Sequence, residues 1–146
     1  MSSIGKVLAL DYGKSKIGAA ISDEGQTVVF GRGFIDCKKS LKGFFEQIRT
    51  WRKDDNINTI VIGLPLDENG RETLQTRRIR NFAKKLEHFL KSIKLTASVV
   101  FEDESFTSFE ANERLVELGF EAKKSKKHED ELAAVLILQR YLKRKQ

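Results

Sequence analysis

Apolar residues along this chain follow two rhythms, one suited to short strands and one to helices. Lys6–Tyr12, Lys16–Asp23 and Thr27–Ile35 are rich in Val, Ile, Leu, Ala and Phe, and Gly-Lys-Ser and Glu-Gly-Gln lie between them as turn material. They predict three strands, and connections this short require antiparallel neighbours. From Lys38 to Arg52 the rhythm changes: Leu41, Phe44, Phe45, Ile48 and Trp51 recur at helical spacing and predict an amphipathic helix whose aromatics serve packing. Thr59–Gly63 is a short apolar run after that helix, hence a buried parallel strand. Beyond Leu64-Pro65-Leu66 and a polar turn at 67–70, apolar positions at Ile79, Phe82, Ala83, Leu86 and Leu90 predict a helix from Thr73 to Lys91. A strand at Ala97–Glu102, a helix at Phe106–Leu118 and a last helix at Glu129–Lys143 complete the series. The apolar stretch from Leu132 to Leu138 predicts that the last helix is largely buried.

This order describes an α/β domain with a mixed sheet flanked by helices. Right-handed crossovers place the fourth strand beside the first, so the ends of these two strands meet at a crevice of the kind in which α/β folds carry their sites. The sequence has no internal repeat, low-complexity tract or interdomain linker. Its 146 residues suit one domain with a core of its own. Cys37 is the single cysteine, which leaves no intramolecular disulfide and no cysteine-based zinc site and suits a reducing compartment. No apolar segment approaches the roughly 20 residues of a membrane span. The expectation is a cytoplasmic protein with no membrane partner.

The formal charge of +6 suggests an anionic partner. Its distribution says more: Arg71, Arg77, Arg78 and Arg80 form one cluster, and Lys123, Lys124, Lys126 and Lys127 form another just before the last predicted helix. Taken alone, such runs are commonly solvated faces. Beside a group of metal-binding acids they become a surface for backbone phosphates.

Acids stand at the places where such a group would form. Leu8-Ala-Leu-Asp-Tyr-Gly13 carries Asp11 to the end of the first strand, where Gly13 permits a turn. Asp103 and Glu104 follow the strand that ends at Glu102, and Asp130 stands in the first turn of the last predicted helix. Ala133 and Ala134, on Asp130's own side of that helix, leave room for ions and substrate. Each acid also has a purely structural role available to it. Asp11 can start a turn, Asp103 can cap a helix, and Asp130 can favour a helix N-terminus by a few tenths to about 1 kcal/mol. Converging carboxylates with open coordination positions suit hard divalent cations, and two ions about 4 Å apart would favour hydrolysis of a phosphodiester.

Four blocks together resemble the YqgF (RuvX) family of resolvase-like nucleases in the ribonuclease H-like superfamily, over almost the whole chain. They are Leu8-Ala-Leu-Asp-Tyr-Gly13 with Lys16-Ile-Gly-Ala-Ala-Ile-Ser-Asp23, then Ile62-Gly-Leu-Pro-Leu66 with Asn69-Gly70 and Arg77-Arg-Ile-Arg-Asn-Phe-Ala83. The third is Asp103-Glu-Ser-Phe-Thr-Ser-Phe-Glu-Ala111, and the fourth is Asp130-Glu-Leu-Ala-Ala-Val-Leu-Ile-Leu-Gln-Arg-Tyr-Leu142. The resemblance implies a ribonuclease H-like five-stranded sheet, three antiparallel strands then two parallel, in a single domain. It implies a nuclease dependent on Mg²⁺ or Mn²⁺ that acts on structured nucleic acid, either precursor 16S rRNA in ribosome biogenesis or Holliday-junction DNA. By position the metal ligands are Asp11, Asp130 and one acid of the Asp103-Glu104 pair. Glu104 is favoured, with Asp103 the alternative because the strand's end is uncertain in register. Ser105 stands where the family usually carries arginine, and Glu129 and Glu131 are unusual neighbours of Asp130.

Supporting roles follow for other residues. Lys14 in the first turn, Arg77, Arg78 and Arg80, and the four clustered lysines are candidates for nucleic-acid contacts. Thr107 either fixes a site acid or begins a helix, His128 is a candidate proton carrier, and His88 is expected to be exposed. Two other functions compete. A sugar-kinase or actin-like ATPase also begins with Asp-x-Gly, but needs two such domains to enclose ATP. A non-catalytic RNA-binding or ribosome-assembly module would use the basic residues and leave the acids idle. The sequence leaves monomer and homodimer both open.

Overall fold

A computed structural model of the protein describes residues 5–103 and 122–145, with 122–130 described by backbone alone. The predicted helix over 106–118 and Glu104, Ser105 and Thr107 lie outside the described residues. The strands are β1 (Lys6–Tyr12), β2 (Lys16–Ser22), β3 (Val29–Asp36), β4 (Ile57–Leu64) and β5 (Ser98–Asp103). They form one sheet in the order β3-β2-β1-β4-β5, in which β1 is antiparallel to β2, β2 antiparallel to β3, and β1, β4 and β5 run parallel. The helices are α1 (Lys42–Asp54), α2 (Leu74–Ser92) and α3 (Ala122–Lys145).

Burial explains the strand order. Val7–Leu10 of β1 and Ile60–Ile62 of β4 are fully buried in unbroken runs, which only central strands covered on both faces can sustain. On one face Leu8, Leu10, Ile17, Ile60 and Ile62 pack against Phe44 and Ile48 of α1 and Ile79, Phe82 and Leu86 of α2. On the other, Val7, Ala9, Ala20 and Val61 pack against Ala134, Ile137, Leu138 and Leu142 of α3.

Local chemistry sets the element ends. Thr73 caps α2: its hydroxyl accepts from the Thr76 amide at 3.3 Å, while its own amide donates to the Thr76 hydroxyl at 2.7 Å. This is a capping box with threonine in the usual Glu/Gln place. α1 begins four residues later than the pattern suggests, because residues 38–40 are held in a turn, with the Lys38 amide donating to the Asp36 carboxylate at 2.8 Å. α3 begins earlier, at Ala122, so the lysine cluster is part of the helix. Unbranched lysine side chains are good helix formers. No described helix is long and apolar enough to cross a membrane.

The N-terminal ends of the parallel strands carry a structural ion cluster. Asp55, 7% exposed, accepts from Lys6 at 2.7 Å and Arg32 at 3.2 Å. Burial pushes its carboxyl up, but the hydrogen bonds from Lys6 and Arg32 outweigh that and hold it below the ordinary value.

Candidate functional site

The opposite ends of these strands gather the candidate chemistry. Asp11 lies one residue from the end of β1 and is half-buried. Side chains alternate between faces along a strand, so Asp11 shares the α3 face with Val7 and Ala9. Its partner on β2 is Gly18. On β4, Leu10 pairs with Ile62, so the next step sets Asp11 beside Gly63, and Gly63 pairs in turn with Glu102 of β5. A row Gly18, Asp11, Gly63, Glu102 therefore crosses four strands on one face. At the usual strand spacing, the backbones of Asp11 and Glu102 lie about 10 Å apart, with no side chain from Gly63 between them.

The turn that ends β1 needs its glycine. The Gly13 amide donates to the Lys16 carbonyl at 2.9 Å, and a Cβ on Gly13 would sit 3.0 Å from that same oxygen. On the other side of the crevice, the turn after β4 organises itself: the Asp67 carboxylate accepts from the amides of Asn69 and Arg71, each at 2.8 Å.

The acids of the third and fourth blocks are distributed unevenly. Glu102, not picked out from the sequence, is 8% exposed and shares Asp11's face, where Arg144 of α3 binds its carboxylate. Asp103 is exposed and lies one residue on, so its parity assigns it to the opposite face with Phe101, while its carbonyl accepts from Arg140 at 3.1 Å. Glu104 lies outside the described residues. Asp130 is on the helical backbone of α3, with its side chain outside the description, as are those of His128 and Glu129. Glu131 is committed elsewhere: it accepts from the Gly33 amide of β3 at 2.9 Å and crowds Gly31, where a Cβ would clash with its carboxylate. Ala133 and Ala134 are 5% and 0% exposed. Ala134 packs directly with Val7, Ala9, Ala20 and Val61, so the space it frees is taken by the sheet and not by ions or substrate.

The basic candidates also separate. Lys14 is exposed in the β1–β2 turn, three residues from Asp11. Arg77, Arg78 and Arg80 are exposed on α2. Arg80 is engaged, paired with Glu72 and placed over the Phe101 ring at 5.0 Å. Arg78 is near enough to Tyr12 to oppose the rise in its phenol pKa, a rise caused first by burial and then by Cys37. Burial, with Asp36 adding to it, also pushes the Cys37 thiol up, so it stays protonated and unreactive. Lys123, Lys124, Lys126 and Lys127 lie on the first turns of α3, with side chains outside the description.

Among the described residues no three His, Cys, Asp or Glu side chains converge as a metal group. Asp11 has the chemistry of a hard-cation ligand, an oxygen donor at a strand end whose neighbours on both adjacent strands are glycines. Such a gap accommodates a hydrated ion that a branched neighbour would exclude.

A family model described as "RuvX: Holliday junction resolvase" matches residues 5–144. A protein of Maridesulfovibrio salexigens named "Putative pre-16S rRNA nuclease" is 36% identical over 139 residues, covering 95% of this chain and 98% of its own. One of the same name from Koribacter versatilis is 36% identical over 141 residues, covering 97% and 88%. The Fowlpox virus resolvase, solved in complex with Holliday junction DNA, matches with a TM-score of 0.52 at 12% identity, over 95% of this chain and 97% of that one. At that identity the likeness is one of fold.

Proposed function

The chain belongs to the RuvX family, and from that premise we propose that it is a metal-dependent nuclease hydrolysing phosphodiester bonds in structured RNA, with precursor 16S rRNA as substrate. The observation that carries the reading is the position of Asp11, a carboxylate at the end of a central strand with glycines beside it on both neighbours. Names carried by the relatives support the RNA substrate, and the description of the family supports a second reading, cleavage of branched DNA.

Asp11, Glu104 and Asp130 would hold Mg²⁺ or Mn²⁺, which when bound supplies Lewis acidity at the phosphoryl group and a more acidic water. Parity along β5 speaks against Asp103, which lies on the face opposite to Asp11 while Glu102 shares it. The chain's own groups do the positioning. Arg144 neutralises Glu102, which limits the negative charge that an incoming phosphate meets at the end of β5. Lys14 stands ready for a backbone phosphate at the other side of Asp11. The exposed Arg77 and Arg78 of α2 offer further cationic contacts for a polyanion, and the lysines in the first turns of α3 are candidates for the same role.

The test is a side-by-side cleavage assay of precursor 16S rRNA and a synthetic four-way junction, with Mg²⁺ and Mn²⁺ titrations and the variants Asp11→Asn, Glu104→Gln and Asp130→Asn. Metal-dependent cutting of the RNA that each variant abolishes is the expected result. Tight RNA binding without cutting at any metal concentration would overturn the reading in favour of a non-catalytic assembly module.

A further inference from the structure

The face of the sheet away from α3 carries a feature that the cleavage site does not use. Phe44 is fully buried between α1 and the sheet, but its neighbour Phe45 is half-buried and stacks on Phe89 of α2, with ring centroids 4.5 Å apart and planes 17° from parallel. Along this seam runs an open trough of about 640 Å³ whose lining includes Tyr12, Lys42, Phe45, Lys85 and Phe89. Phe45, Lys85 and Phe89 also line a second lobe of about 530 Å³, bordered by Lys84 and His88. The floor is thus aromatic and the rim cationic. Lys42, Lys84 and Lys85 are exposed, and among the described residues none of their ammonium groups is held in an ion pair. One carboxylate, Glu46, lies in the lining against these three lysines.

The trough also has a meaningful starting point. Tyr12 follows Asp11 on β1, and alternation sends its side chain to the opposite face, where it stacks on Phe82 at 4.5 Å and forms part of the trough wall. One end of the trough is therefore one residue from the candidate cleavage site. Along α2, Lys85 to Ser92 adds about 10 Å of length at the helical rise.

We infer that the α1–α2 trough is a binding track for single-stranded RNA, in which Lys42, Lys84 and Lys85 meet phosphates while Tyr12, Phe45 and Phe89 meet bases. The inference rests on the nuclease reading for its substrate, since it follows the strand that leaves Asp11 around the end of β1. Its chemistry is that of sequence-tolerant single-strand recognition, a positive groove with aromatic contacts. The charged rim favours a polyanion over an apolar peptide, which would find three solvated ammonium groups at its edge.

Fluorescence anisotropy with a labelled single-stranded oligoribonucleotide of about 12 nucleotides, on the full chain at several salt concentrations, tests the track. Lys42→Gln with Lys85→Gln is expected to weaken binding about threefold to tenfold and to flatten the log–log salt slope by about 1.4, two phosphate contacts at 0.7 each. Phe45→Leu retains an apolar side chain and should weaken binding about threefold or more with the slope unchanged, because it removes ring contact and no charge. Lys53→Gln, at the far end of α1, serves as the control, and thermal melts confirm that each variant is folded. Affinities within twofold of the unmodified protein would overturn the track. So would a loss in the lysine pair with no change in salt slope, which would show that these lysines do not meet phosphates. Failure of the two readings can be told apart. If trough variants lose RNA while no variant or unmodified protein ever cuts, the nuclease reading falls and the track stands. If cutting depends on Asp11 while trough variants bind normally, the track alone falls.

Discussion

The two faces of this sheet solve the same burial problem in opposite ways. Toward α1 and α2, large side chains fill the space: Leu8, Leu10, Ile60 and Ile62 meet Phe44, Ile48, Phe82 and Leu86, and Phe82 contacts the rings of both Tyr12 and Phe44. Toward α3 the sheet itself is leaner, offering Ala9 and Ala20 beside Val7 and Val61, and the helix supplies the bulk with Ile137, Leu138 and Leu142 around Ala134. The bulky face holds stability in dispersion contacts and buried area. The lean face lets a helix come close while glycines at the strand ends keep Asp11 accessible. The proposed site needs room at the strand ends, and Gly18 beside Asp11 lies on the face where the sheet's own side chains are smaller.

The sharpest way to break the comparison is Asp11→Asn, which should lower cleavage at least about a hundredfold, beyond the usual loss for an outer-shell ligand partner, with an unchanged melting temperature. A large loss of stability instead would make Asp11 part of the structural framework. Phe82→Ala on the bulky face should cost about 3–5 kcal/mol, against about 1–3 kcal/mol for the overpacked Ala134→Leu on the lean face. Urea unfolding of both variants gives the ranking, and a reversed order would refute the division of labour between the faces.

Asp55 provides a smaller contrast, between an acid that serves structure and one proposed to serve chemistry. Asp55→Ala removes two charge-assisted hydrogen bonds from a buried position and should cost about 2–3 kcal/mol. Its folded pKa lies below the ordinary 3.8, so the unfolded chain takes up this proton first as pH falls. The stability Asp55 contributes is complete above the unfolded value and is lost as pH drops through the folded one. The gap in unfolding free energy between the unmodified protein and Asp55→Asn should therefore be wide at pH 7 and shrink progressively as pH falls below 3.8. A gap that widens in acid would contradict the assignment. Smallest of all, Gly31→Ala should cost about 1 kcal/mol, because a Cβ there displaces Glu131 from the Gly33 amide. An equal melting temperature for that variant would show that the contact is dispensable to the docking of α3.

Much of this architecture was legible in the residues themselves. Apolar runs at Val7–Leu10 and Ile60–Ile62 have the composition of doubly covered strands, and short turns between β1, β2 and β3 admit only antiparallel pairing. Asp11 is visible in the sequence as a carboxylate that ends an apolar strand, a place where it can hold a cation or simply start a turn. Phe45 packs on Phe44 and Phe89 as the helical spacing predicts, but periodicity does not say that it stays half-buried at the edge of the apolar face. The small residues of α3 are a different case. Ala133 and Ala134 suggested open space because small residues look the same whether a ligand or a neighbouring backbone fills the gap.

What the sequence determined by itself is local: strand and helix identities, the faces they bury, and an acid at the end of β1, all consequences of periodicity and side-chain chemistry within a few residues. Only the tertiary structure decided the row from Gly18 through Asp11 and Gly63 to Glu102, the pairing of Glu102 with Arg144, and the Lys6–Asp55–Arg32 cluster. Each of these joins residues far apart in the chain, and it is the register of packed strands, a cooperative property of the whole sheet, that determines which of them meet.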